Sequence, residues 1–172
     1  MRDTREVWQR GPVERVPAAL QPVAHALLQA AEEAERYMAD FPAELLWEKP
    51  AGVASTGFHL LHMAGVIDRL FTYARGEVLT GEQLKYLSAE KDIPQEKVLP
   101  SDLVKVLRMQ IENAIEQLKN TPESSLMEGR ALGRKQIPTT VAGLLFHSAE
   151  HCMRHIGQLL VTTRILRAPP RG

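Results

Sequence analysis

Cysteine is nearly missing from this chain: Cys152 stands alone among 172 residues, which excludes an internal disulfide framework and fits a reducing, cytoplasmic setting. An excess of charge of either sign is missing too. Lys plus Arg number 21 and Asp plus Glu number 21, so no long-range field draws the chain toward nucleic acid or an anionic membrane, and a small-molecule role is favoured. There is no basic stripe of the kind that tracks DNA. No apolar run approaches the ~20 residues of a membrane span, and the charged start Met1-Arg2-Asp3-Thr4-Arg5-Glu6 lacks the apolar stretch of a secretory signal. Strand-like alternation, internal repeats and low-complexity tracts are also absent, which leaves helices as the building material. The length suits one domain over 1–172 that folds without staples.

What is present is helical periodicity broken at regular intervals by Pro and Gly. Residues 1–16, with Trp8 and Gly11-Pro12, carry no sustained period and read as an N-terminal arm anchored by Trp8. From Ala18 to about Ala39, the residues Leu20, Val23, Leu27, Ala30, Ala34 and Met38 mark an apolar stripe, with Pro22 tolerated in the first turn. After Pro42 and Pro50, Ser55-Thr56 offer caps for a second helix that Gly76 stops. Its wheel places Asp68, Arg69, Thr72 and Arg75 on a polar strip and His59, His62, Met63, Val66 and Leu70 opposite, toward the core. Thr80-Gly81-Glu82-Gln83 fits a capping box that opens a short extra helix to about Lys91. Ser101 is a cap candidate for a third long helix through Asn120, with Leu103, Val106, Leu107, Ile111, Ile115 and Leu118 along its seam. Residues 121–138 read as a long loop, and Thr139-Thr140 cap a last helix that ends before Pro169-Pro170. The expected fold is all-α: a four-helix bundle with one short extra helix between the second and third long ones.

Chemistry concentrates in the histidines. His147, His151 and His155 recur every four residues on the last helix, with His155 inside its core stripe and His151 at the border. An inward imidazole needs a hydrogen-bond partner or a metal, because an unpaired buried nitrogen costs about 1 to 3 kcal/mol. Two histidines at i and i+4 reach one ion, and a third ligand comes from His62 or His59, a choice that periodicity leaves open. Three neutral imidazoles leave one coordination position vacant, as in catalytic sites. His25 reads as packing or surface, Cys152 as a small buried apolar residue and Glu150 as surface. Gln158, His59 and His147 are candidates for the shell that orients the ligands.

The run His62-Met63-Ala64-Gly65, Gly76 at the helix end, and His151-x-x-x-His155-x-Gly157-Gln158 resemble the DinB/YfiT-like superfamily from about Pro17 to Leu166. The resemblance implies an up-down-down-up four-helix bundle and a divalent transition metal, zinc or nickel first and iron third, held by His62, His151 and His155. It thereby selects His62 over His59. Many members carry Arg where this chain has Ile156, which weakens any role for that position and leaves the ligands intact. Some members are homodimers, and some are transferases or isomerases that use low-molecular-weight thiols. A metal-dependent enzyme that transfers a small thiol or hydrolyses a small substrate is therefore expected, and the alternative is a non-catalytic bundle in which the ion is structural. A self-associated pair is expected as well, built on apolar residues such as Leu60 and Phe71.

Overall fold

The structure is a computed structural model that describes residues 4–94 and 96–169. Residues 1–3 of the expected arm and Pro170 beyond the last helix lie outside them. The chain is mainly helical: α1 spans Gln21–Met38, α2 Thr56–Ala74, α3 Gly81–Ala89, α4 Pro100–Lys119 and α5 Val141–Arg167. Each of α1 and α2 packs against both α4 and α5, while α3 lies on α2. The shared interior is filled by Leu27, Leu60, Met63, Ile67, Leu107 and Leu145, all fully buried. Each such side chain contributes about 1.5–3 kcal/mol of transfer free energy. Among the described residues no helix is long and apolar enough to cross a membrane.

The caps that start the site-bearing helices are made by the expected residues. Ser55 Oγ accepts from the Phe58 N–H at 3.2 Å, and Thr140 Oγ1 accepts from the Gly143 N–H at 3.0 Å. Thr80 and Gln83 form the reciprocal capping box of α3. Gly76 takes φ +79 after α2, the left-handed turn that a side chain resists. The start of α4 differs from expectation: Pro100 occupies its first turn, and Asp102, not Ser101, accepts from the Leu99 N–H.

Other expectations are corrected as well. Segment 121–138 is not all loop, because β1 (Gly129–Leu132) pairs antiparallel with β2 (Ile137–Thr140). Four-residue strands carrying Gly129 and Pro138 show no alternation to read in the sequence; in the fold, Arg130 Nε donates to the Ala74 carbonyl at 2.9 Å and ties the hairpin to the end of α2. Trp8 does not anchor the arm. It is 60% exposed, whereas Val7 is buried and its N–H donates to Gln29 Oε1 at 2.9 Å. Arg69 and Thr72 are not on a solvated strip, because α3 covers them: Gln83 Nε2 donates to Asp68 Oδ2 and Thr72 Oγ1, and Tyr86 OH donates to the Leu61 carbonyl. Leu60 and Phe71 are buried inside the chain and offer nothing to a second copy. On α4, Val106 turns partly to solvent at the edge of the seam.

Candidate metal centre

The packing of α2 against α5 brings together imidazoles that are about ninety residues apart in sequence. His62 Nε2 lies 2.9 Å from His151 Nε2, and His151 Nε2 lies 3.1 Å from His155 Nε2. One ring nitrogen from each of the three fits within a mutual 4.8 Å, so the trio could hold a metal ion. Tetrahedral ligation at ~2.0–2.1 Å requires nitrogens roughly 3.3 Å apart, close to the two spacings seen.

Second groups fix two of these rings. Glu90, just beyond α3, is buried, and its Oε2 takes the Nδ1 proton of His62 at 2.8 Å. A carboxylate only accepts, so the tautomer that Glu90 selects keeps the His62 proton on Nδ1 and turns the Nε2 lone pair toward the other two histidines. The other Glu90 oxygen is ion-paired with buried Arg69. Gly65 makes that approach sterically feasible: a Cβ there would stand 2.6 Å from Arg69 Nη1 and 2.7 Å from Tyr86 Cε1, and closer still to Glu90. On the other side, His59 Nδ1 lies 2.9 Å from His155 Nδ1. Phe58 stacks on His62 with ring centroids 5.2 Å apart and planes within 11°. His151 Nδ1 is buried with no partner among the described residues, so its ring is the one candidate held by no second group.

Protonation favours ligation. Burial first, and the neighbouring His62 second, push His59 down to about 4; burial, then His62 and His151, push His155 down to about 3. His151 is lowered by the same two leading causes, burial and His62. Burial alone raises the Glu90 carboxyl, but hydrogen bonds from His62 and Arg69 outweigh it and hold the group below the usual range. Neutral imidazoles cannot satisfy the trio by themselves. With His62 Nε2 bearing a lone pair, a single His151 proton must serve two contacts, or two lone pairs face each other at about 3 Å. A divalent cation accepts all three lone pairs and removes that conflict, so the residues fit the group that the resemblance implies.

The remaining candidates are spread out. His59 reaches the cluster through His155. His147 stays at the exposed edge, its ring centroid 5.6 Å from that of His151 and its Nδ1 3.5 Å from Glu150 Oε2. Glu150 is ion-paired with Arg154 at the surface. Gln158 is exposed one turn beyond the cluster and lines a cleft. Cys152 is fully buried, and burial pushes its thiol up to about 12, as suits an inert core residue. His25 lies near the surface, Nε2 3.1 Å from the Gly11 carbonyl oxygen. Sequence reasoning missed Glu90 and Arg69. The available signal was the seven-residue spacing of His62 and Arg69, which puts the two on one helix face with the small Gly65 between them and not on opposite sides as expected above.

Fold and cluster define a mainly helical protein with a three-histidine centre between two of its long helices. The chain belongs to the DinB superfamily, whose model matches residues 13–159. Among solved structures it is similar to a conserved protein from Enterococcus faecalis, with a TM-score of 0.66 and 19% identity over 86% of this chain and 96% of that one. At that identity the likeness concerns the fold alone. No curated protein matches the sequence.

Proposed function

We propose that this chain is a metal-dependent enzyme holding one divalent transition metal, zinc or nickel before iron, on His62, His151 and His155. The observation that carries it is the convergence of three lone-pair nitrogens, two of whose rings are set from behind by Glu90 and His59. The packing of α1 and α2 each against α4 and α5 supports the up-down-down-up four-helix bundle of the family. With three protein ligands, a divalent ion supplies Lewis acidity toward a fourth group such as a thiol or water. The chain's own residues supply the rest: Glu90 and Arg69 hold His62, Phe58 covers its ring, and burial keeps His155 neutral and able to ligate.

The reaction that fits is transfer of a low-molecular-weight thiol to an electrophile. The sulfur forms a bond to carbon, the leaving group departs with its bonding pair, and the thiol proton passes to solvent. Hydrolysis of a small substrate uses the same vacant position. The test is elemental analysis of untagged protein together with turnover of cysteine-type thiols and an alkyl halide, with zinc, nickel or iron added. One ion per chain and metal-dependent turnover are expected, and equal inactivity in every combination overturns the enzymatic reading. The second reading, a structural ion in a non-catalytic bundle, draws on the ion-paired state of the two carboxylates nearest the histidines, Glu150 bound to Arg154 and Glu90 to Arg69. It predicts a large fall in melting temperature on chelation and no exchangeable water on the ion. A homodimer is also proposed, and light scattering that finds only a 19.2 kDa species overturns it.

A further inference from the structure

Beside the histidine cluster, on the far side of His59, a cleft of about 440 Å³ opens between segment 50–55 and the second half of α5. Its volume is in the range of small-molecule sites. Two of its polar residues are almost wholly enclosed, His59 and Thr162 being 3% exposed each. Among the described residues, the His59 side chain makes no hydrogen bond besides that of Nδ1 to His155, and the side chains of Thr162 and Gln158 make none. Polar groups of enclosed residues are nearly always paired, so two that have no protein partner and open only on the cleft are left to water or to a molecule bound there. Arg154 adds a cation at the rim; it pairs with Glu150 on its own helix, and a guanidinium has donors to spare.

The polarity of these groups names the ligand. The inference rests on the metal reading at one point: if His155 gives Nε2 to an ion, its Nδ1 keeps the proton and donates it to His59 Nδ1, so His59 must carry its own proton on Nε2, facing the cleft. His59 Nε2–H, Arg154 and the Gln158 amide are then donors, and the Thr162 hydroxyl rotates to donate as well. Val53 and Val161 supply apolar wall. Gly157 leaves the floor open, since a Cβ built there meets nothing within 4 Å. We propose that this cleft binds a small carboxylate with a short aliphatic tail, the carboxylate held by His59, Arg154, Gln158 and Thr162 and the tail by Val53 and Val161.

The test titrates hexanoate, and hexanol as its uncharged counterpart, into zinc-loaded full-length protein. It follows the 15N signals of the His59 ring, Gly157 and Thr162 by NMR, and zinc content is measured on the same samples. Expected are saturable shifts at these residues with hexanoate, binding of hexanol weaker by about tenfold or more, and loss of the shifts in Gly157→Leu and Val161→Trp with zinc content unchanged. The second variant, at an exposed position, keeps the test decisive if the first fails to fold. Hexanoate that leaves the cleft signals unmoved, or binds Gly157→Leu and Val161→Trp as well as the parent, overturns the cleft assignment while one zinc per chain still stands. Less than one zinc per chain overturns the metal reading, and with it the proton assigned to His59.

Discussion

Replacing Glu90 with Gln isolates what the second group behind His62 does. The carboxamide keeps the volume but loses the charge, so the His62 Nδ1 proton gains a weaker acceptor and buried Arg69 loses its counter-ion. Removing such an outer partner costs 10- to 100-fold in metal affinity, or about 1.4–2.7 kcal/mol. Leaving a buried guanidinium uncompensated costs about 3–5 kcal/mol of stability, which for a chain of this size lowers the melting temperature by roughly 10 °C. The two losses separate in a double variant: Arg69→Met with Glu90→Gln removes the stranded charge and regains most of the stability, while zinc affinity stays low. A competition titration against a chromophoric chelator, with thermal melts of the metal-free forms, reads both. Zinc affinity within twofold of the parent in Glu90→Gln would refute the claim that Glu90 orients His62.

Gly65→Ala forces Glu90, Arg69 and Tyr86 apart, so a loss of about 1–3 kcal/mol in urea melts and weaker zinc binding are expected; an unchanged urea midpoint contradicts the close packing. Cys152 should resist an aromatic disulfide reagent at pH 8 in the folded chain and react at once in denaturant, and fast reaction of the native protein counts against its burial. For the metal-free chain, the lowered values of His59, His151 and His155 set a sign. Below about 6.5 the unfolded chain takes up protons that the folded chain refuses until about 4 at His59 and about 3 at His155, so stability falls as pH drops through that window. Urea midpoints equal at pH 7.5 and pH 5 would contradict this.

The sequence by itself determined the helices and most of their caps, because apolar spacing, Ser55, Thr80, Thr140 and Gly76 act within a few residues of where they stand. It also held the candidate ligands, since the i, i+4 pair His151 and His155 shares one face of α5 by the geometry of the helix alone. What only the tertiary structure decided is how α3 lies on α2. That contact buries Arg69, turns an apparently solvated strip into a packed face and brings Glu90 to His62 across twenty-eight residues. It equally decided that Leu60 and Phe71 face inward and that four-residue segments around Gly133 pair as a hairpin. The physical reason is range: caps and periodicity are local, whereas a buried ion pair or a short strand pairing has its free energy set by whichever distant segment covers it.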